Sequence, residues 1–143
     1  MIDSFRNEYF FLSNFYPAPV TFENVTYANN EAAFQAQKTL DLEKRKEFAR
    51  LKPSEAKSKG RALKLRRDWN DVKTNIMLKI VRAKFEQNPD IAKKLIETGD
   101  KVLIEGNDWG DRIWGAVDGV GENRLGEILM TVRSELRAAA FSN

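Results

Sequence analysis

The feature that most constrains this fold is a pair of long stretches in which apolar residues recur at helical spacing, over residues 70–85 and 125–136. Apolar residues three or four positions apart share one face of an α-helix, and that face needs another surface to cover it. The two patterns therefore predict a core built largely from helices. The apolar faces contain Val72, Ile76, Ile80 and Ala83 in the first helix, and Leu125, Ile128, Leu129, Val132 and Leu136 in the second.

Shorter segments predict further helices along the chain. Asparagine and aspartate favour the N-cap position, proline favours the first helical turn, and glycine favours the end of a helix. The resulting helices run from Asn30 (the cap) to about Leu40, from Asp41 (the cap) to Leu51, from Pro53 to Gly60, and from Pro89 to Glu97.

Two hairpins are predicted from runs of β-branched and aromatic residues. The alternation over residues 20–27 predicts a short hairpin around Glu23 and Asn24. Residues 101–105 are bounded by glycines and predict a strand that pairs with residues 112–115 across the intervening turn. Helices and hairpins together predict a mainly helical α+β fold with a small antiparallel sheet.

The length of 143 residues suits one domain, and the chain contains no repeat and no linker rich in proline, glycine or serine. We therefore expect one compact domain over residues 1–143. No apolar run reaches the ~20 residues that a bilayer span requires. The N-terminal residues also lack the basic and apolar regions of a secretory signal, so we expect a cytoplasmic protein without a membrane-bound part.

The chain contains no cysteine and no histidine. These absences exclude disulfides, thiolate nucleophiles, Ser-His dyads and the usual zinc ligands. Acid–base chemistry at neutral pH then depends on carboxylates, lysine or tyrosine, and we expect neither a metal nor another cofactor. The net charge of +3 is compatible with a phosphate-bearing ligand and does not require nucleic acid.

Three polar clusters are candidates for a functional site. In the first, Glu31, Gln35 and Lys38 share one side of the helix predicted from Asn30. Spacing alone favours a solvent-exposed face, on which the helix dipole stabilises Glu31, over a functional site. In the second cluster, Trp69 is either a core anchor behind a capping aspartate or a platform on which a heterocycle stacks.

The third cluster, residues 103–126, concentrates acids, tryptophans and glycines in loops. Glycines let a ligand approach the backbone and loops often carry function, so this pattern favours a site. The GxG sequence at 119–121 follows no convincing strand and does not complete a dinucleotide fingerprint. The segment before Asn123 is either a phosphate site at a helix N-terminus or a glycine-rich turn with Asn123 as the cap.

At these clusters the chain resembles the YbiA-like, or NADAR, family. The resemblance implies a mostly helical α+β fold and an enzyme that cleaves N-glycosidic bonds to ribose. The implied substrates are ribosylamino-pyrimidine or pyrimidine-dione intermediates of riboflavin synthesis, or ADP-ribose on a modified guanine. The matching blocks, which cover nearly the whole length in the expected order, are FLSNFYPAPVTFENVTYANNEAAFQAQK, PSEAKSKGR, RRDWNDVKTNIMLKIVRAKFEQNP, TGDKVLIEGNDWGDRIWG and GVGENRLGEILMTVR.

Four residues fall on motif positions of that family, namely Glu31, Lys38, Trp69 and Asp111. Two departures are visible in the same motif. Asn29-Asn30 replaces the small hydroxyl residue that usually precedes the glutamate, and Ala32-Ala33 replaces the more common His-aromatic pair.

The resemblance and the available residue types together predict a mechanism. Loss of a base from the ribose C1′ builds oxocarbenium character that a carboxylate stabilises, and we expect Glu31 and Asp111 to converge there as base and acid, in an order left open. Lys38 either holds a substrate phosphate or forms a Schiff base with an opened ribose. We expect Trp69 and Trp114 to stack on the heterocycle, and Asn14, Phe15 and Asn123 to line the pocket.

Two other classes of protein compete with an enzyme. A non-catalytic module could bind ADP-ribose or a related nucleotide, but such a module has no need of carboxylates at positions 31 and 111 facing a polyanion. A structural partner protein predicts no pocket at all. The resemblance implies a small ribosylated heterocycle or ADP-ribosylated guanine in nucleic acid as the ligand.

Overall fold

A computed structural model describes residues 1–142, with side chains up to Ala140. The predicted α+β class is confirmed, because helices dominate and the strands form one small antiparallel sheet. Two compact units are distinguished: a central unit, Asn14–Asn88, and a terminal unit formed by Met1–Ser13 with the residues from Pro89 onward. The single domain over residues 1–143 stays a prediction. None of the described helices has the length and apolar character needed to cross a membrane.

The central unit begins with the predicted hairpin. Strand β1 (Val20–Phe22) pairs antiparallel with β2 (Val25–Tyr27), so the hairpin is confirmed. Glu23 and Asn24 form its two-residue turn with φ angles of 46° and 70°. Positive φ at both central residues matches the right-handed twist of the strands and makes a tight connection.

Four helices follow in the central unit: α1 (Asn30–Ala36), α2 (Leu42–Lys46), α3 (Pro53–Arg61) and α4 (Trp69–Gln87). Helix α1 contacts all three of the others, and every one of its residues is buried. Its N-cap is Asn29, whose side chain accepts a hydrogen bond from the Ala32 N–H at 2.8 Å. The predicted cap at Asn30 was therefore wrong by one residue, and the helix ends well before Leu40.

The predicted ends of the next two helices need correction. Asp41 caps α2 as expected, since its Oδ1 accepts from the Glu43 and Lys44 N–H groups, but α2 stops at Lys46 and does not reach Leu51. Helix α3 begins at Pro53 as predicted and ends at Arg61, one residue beyond the predicted end at Gly60. The lack of a side chain at Gly60 serves packing, because a Cβ atom there would lie 2.0 Å from the Gln35 Oε1.

Helix α4 has the predicted position but a different buried face. Of the predicted stripe only Ile80 is fully buried, whereas Val72, Ile76 and Ala83 are half-buried. The helix contacts both α1 and β1, and these two neighbours select another face. The buried residues of α4 are Trp69, Met77, Ile80, Val81, Lys84 and Phe85.

The terminal unit contains a 3-10 helix at Asn7–Leu12, helix α5 (Pro89–Glu97) and helix α6 (Arg124–Ser142). Helices α5 and α6 contact each other, and Leu125, Ile128, Leu129 and Val132 are buried as predicted, whereas Leu136 is half-buried. The strand and hairpin predicted at 101–105 and 112–115 are wrong. Residue Leu103 instead forms a single parallel bridge with Ile2, and Gly106 forms another with Ala116.

Candidate functional site

A buried carboxylate lies in the central unit. Glu31 is 8% exposed, its N–H donates to the Asn14 carbonyl at 3.0 Å, and the Gln35 Nε2 donates to its Oε1 at 2.9 Å. The solvent-exposed face that spacing alone favours is therefore wrong for Glu31 and Gln35. The cause is tertiary, since α3 and α4 both pack against α1.

Lys38 interacts electrostatically with this carboxylate. The amine is half-buried, and this burial lowers its pKa below the ordinary value. The Glu31 carboxylate opposes the shift, while Arg61, Lys57 and Lys73 lower the pKa further by repulsion. One acid and several cations thus act on a single lysine.

Asparagine side chains extend the cluster around Glu31. Asn14 is 8% exposed, its Oδ1 accepts from the Asn30 Nδ2 at 3.4 Å, and its Nδ2 donates to the Met77 Sδ at 3.4 Å. Within residues 1–142, the buried Asn30 Oδ1 has no hydrogen-bond partner. A buried acceptor without a protein partner is uncommon and marks a place that water or a ligand donor can occupy.

Phe15 is the most exposed of the predicted site residues in the central unit. Its ring is 39% exposed, and the Lys57 ammonium lies 5.7 Å from its centroid, in the range of a cation–π contact. Lys57 also acts on Lys38. The central unit therefore groups Asn14, Phe15, Glu31 and Lys38 through a chain of contacts and electrostatic interactions.

Trp69 has the packing expected of a core anchor. The side chain is 6% exposed, and its ring centroid lies 5.1 Å from that of Phe34 in α1. Asp68 is at the N-cap position of α4, as in the core-anchor alternative, but its side chain makes no cap hydrogen bond and accepts instead from the Arg66 guanidinium at 2.6 and 3.0 Å. Stacking of Trp69 on a heterocycle stays a prediction.

Asp111 organises a turn in the terminal unit. Its Oδ1 accepts from the N–H groups of Ile113 at 3.0 Å and Trp114 at 2.9 Å, and its own N–H donates to the Asn107 Oδ1 at 3.0 Å. Trp114 is half-buried in this segment. The catalytic role of Asp111 and the stacking role of Trp114 stay predictions.

Asn123, also in the terminal unit, uses its side chain to hold the backbone of residues 103–105. Its Oδ1 accepts from the Glu105 N–H and its Nδ2 donates to the Leu103 carbonyl, both at 2.9 Å. Its φ angle is 50°, in the left-handed region that asparagine tolerates better than most residues. These two bonds hold the side chain against residues 103–105, and its role in substrate binding stays a prediction.

Replacing Asn123 with alanine should lower the free energy of unfolding by about 1–3 kcal/mol, because two part-buried backbone groups lose their partner. Urea denaturation followed by circular dichroism measures this change. Asn75→Ala, at an exposed position of α4, is the matched control and should change stability by less than about 0.5 kcal/mol. Unchanged stability of Asn123→Ala combined with a raised KM would instead assign Asn123 to the substrate.

Several residues of the central cluster were given no functional role from sequence. Lys57, Arg61 and Lys73 were given no role at all, Asn30 and Gly60 were predicted only as a helix cap and a helix end, and Gln35 was predicted on the same side of the helix as Glu31 without a function of its own. The glycine inside a helical pattern was the available signal, because such a glycine often has a packing reason. No group of three or more acidic side chains arranged to hold a metal ion occurs in the part of the chain that the structure describes.

The family follows from comparison with known sequences. A sequence profile of the NADAR domain matches residues 3–137, nearly the whole chain. The chain therefore belongs to the NADAR family.

Particular relatives make the assignment more specific. The chain is 38% identical over 137 residues to N-glycosidase YbiA of Escherichia coli (strain K12), covering 93% of this chain and 85% of that protein. It is 39% identical over 132 residues to N-glycosidase Npun_R5314 of Nostoc punctiforme, covering 87% of this chain and 84% of the relative. The chain is also 38% identical to the Riboflavin biosynthesis protein VVA0006 of Vibrio vulnificus, where the match covers 93% of this chain but only 37% of that longer protein.

The fold agrees with a solved structure of one relative. The NMR structure of the E. coli protein YbiA superimposes with a TM-score of 0.86 at 35% sequence identity. The superposition covers 100% of this chain and 90% of that protein. Similarity in sequence and similarity in fold thus each extend over most or all of the chain.

Proposed function

We propose that the protein is a hydrolase that cleaves an N-glycosidic bond to ribose. The observation that carries the proposal is the buried Glu31 carboxylate, which Gln35 holds by a hydrogen bond beside the half-buried Lys38. A lysine whose pKa is perturbed by burial and that interacts with a buried carboxylate is a candidate for a catalytic site. Membership of the NADAR family, several of whose members are named N-glycosidases, supports the same reaction class.

Glu31 is proposed to act at the ribose C1′. When the bond from C1′ to the base nitrogen breaks, its electron pair leaves with the base, and positive charge develops on the sugar. A fixed carboxylate stabilises that charge and orients the water whose oxygen bonds to C1′. The base nitrogen takes up a proton, and the resemblance to the family assigns the second carboxylate of the reaction to Asp111.

The charges around Lys38 support a substrate that carries phosphate. Lys57, Arg61 and Lys73 each act electrostatically on Lys38, so four cations belong to one region of the central unit. Such a concentration of positive charge attracts phosphate groups. Ribosylamino-pyrimidine phosphates and ADP-ribosylated guanine both satisfy this requirement, and we propose these two as the candidate substrates.

A direct assay separates the substrates and the competing class. The protein is incubated with a ribosylamino-pyrimidine phosphate and, separately, with DNA carrying ADP-ribosylated guanine, and released ribose 5-phosphate or ADP-ribose is measured. Release from either substrate by the wild type, and not by Glu31→Gln, is the expected result. Saturable binding of ADP-ribose without release from either substrate would contradict the hydrolase and favour the non-catalytic binding module.

Lys38 is expected to form a Schiff base during turnover. Its lowered pKa increases the fraction of neutral amine, whose lone pair adds to C1′ of a ring-opened ribose. In this route the base then leaves C1′ with its electron pair and a proton, and water later hydrolyses the imine between C1′ and Lys38. Borohydride should therefore trap a covalent adduct detectable by mass spectrometry. Because the neutral fraction rises as the pH approaches the lowered pKa from below, trapping should become faster between neutral and mildly alkaline pH.

The variant Lys38→Arg is the informative control, since arginine keeps the positive charge but cannot form this imine. It should give no adduct and should lose most of its kcat. Normal kcat in Lys38→Arg, together with the absence of an adduct in the wild type, would assign Lys38 to phosphate binding instead.

A further inference from the structure

Gln35 and Gly60 fit together at the Glu31 carboxylate. The Gln35 side chain lies between α1 and α3 and is 7% exposed. Its Nε2 donates to the Glu31 Oε1 at 2.9 Å, and its carboxamide lies against the Gly60 Cα. A Cβ atom on Gly60 would lie 2.0 Å from the Gln35 Oε1 and 2.8 Å from its Cδ.

Backbone conformation does not explain the glycine at this position. Gly60 is helical and is not among the residues with positive φ, so alanine could adopt the same backbone. Glycine is among the least favourable residues in a helix interior, whereas alanine is the most favourable. What Gly60 provides is space, and the atoms that use the space belong to Gln35.

The Gln35 carboxamide also lowers the stability of the folded protein. Its Oε1 is buried without a hydrogen-bond partner among the described residues. An unsatisfied buried acceptor destabilises a protein, so packing alone would favour an apolar side chain of this size. The Nε2 of the same amide does have a hydrogen-bond partner, which is the Glu31 carboxylate.

We infer that Gln35 is a positioning residue that fixes the orientation and the charge of the Glu31 carboxylate, and that Gly60 in α3 is required to seat it. The inference deepens the proposed function and rests on it for the role of Glu31. A hydrogen bond donated to a carboxylate favours its ionised form. Displacement of the Gln35 amide, by removal or by a side chain at position 60, therefore makes Glu31 easier to protonate and less well oriented.

The experiment is a pH titration of the Glu31 carboxyl carbon by NMR in the full chain labelled with [δ-13C]glutamate. Loss of one signal in Glu31→Gln assigns the resonance. In Gln35→Met, which keeps the volume but removes the donor, the titration midpoint should rise by about one to two pH units. Gly60→Ala should move it in the same direction, while Ser58→Ala, an exposed position of the same helix, should leave it unchanged.

A double substitution tests the link between the two residues. In the Gln35→Ala background the amide is absent, so adding Gly60→Ala should produce no further rise in the midpoint. In kinetic assays, Gln35→Met and Gly60→Ala should each lower kcat about ten- to hundredfold with little change in KM, and the limb of the pH–rate profile set by Glu31 should move to higher pH.

The outcomes distinguish the inference from the proposed function. An unchanged midpoint in Gln35→Met overturns the positioning role, whatever the turnover. A shifted midpoint in Gln35→Met with none in a folded Gly60→Ala overturns the role of Gly60. Shifted midpoints in a protein that hydrolyses neither candidate substrate would confirm the positioning role and overturn the proposed function.

Discussion

Replacement of Glu31 with glutamine is expected to lower kcat by about 10³-fold, because the transition state loses the negative charge that balances the developing cation on the ribose. Glutamine has nearly the same shape, and its Oε1 can still accept the hydrogen bond that Gln35 donates. The fold should therefore be retained, which circular dichroism and thermal unfolding would show. Initial rates of base release measure the kinetic loss.

The matched control carries the same substitution on a solvent-exposed glutamate. Glu86→Gln, on the surface of α4, should keep the kcat of the wild type. Asp111→Asn tests the second proposed carboxylate, since asparagine keeps an Oδ1 that can accept from Ile113 and Trp114. A Glu31→Gln enzyme with wild-type kcat would exclude a catalytic role for this carboxylate.

Replacement of Trp69 with alanine is expected to lower the free energy of unfolding by about 3–5 kcal/mol. The indole is 6% exposed and packs on Phe34, so its removal leaves a cavity beside α1. Since α1 also carries Glu31, activity should fall together with stability. Urea denaturation of the purified variant gives the change directly.

Trp109→Ala is the control for this experiment. Trp109 is 55% exposed, so the same substitution should change the free energy of unfolding by less than about 0.5 kcal/mol. If Trp69→Ala retained wild-type stability and showed a large rise in KM, stacking on the substrate would replace core packing as the role of Trp69.

The sequence predicted the elements whose signals are local. The hairpin around Glu23 and Asn24, the cap at Asp41 and the long helices over α4 and α6 were found because alternation, capping and helical spacing depend on near neighbours. The hairpin predicted between 101–105 and 112–115 was wrong because the bridging partner of Leu103 is Ile2, which is remote along the chain. Which segments pair with each other depends on such remote partners, and a single sequence does not reveal them.

In the candidate site, too, local signals were predicted from the sequence and tertiary contacts were not. The spacing of Glu31, Gln35 and Lys38 placed them on one side of a helix, but spacing alone favoured exposure, and only the resemblance to a family singled out Glu31 and Lys38. Burial of α1 arises from α3 and α4, which are tertiary contacts. The packing role of Gly60 was also missed, because it depends on a tertiary contact. The Gln35 side chain that occupies the space beside Gly60 belongs to another helix.

The bridge between Ile2 and Leu103 has a consequence for synthesis on the ribosome. Translation proceeds from the N-terminus, so Ile2 emerges roughly a hundred residues before the partner with which it pairs. Residues 14–88 form a continuous stretch whose own contacts can all be made while later codons are still being read. Nascent chains released at intermediate lengths should therefore protect amides of the hairpin from hydrogen exchange before those of the 3-10 helix near the N-terminus.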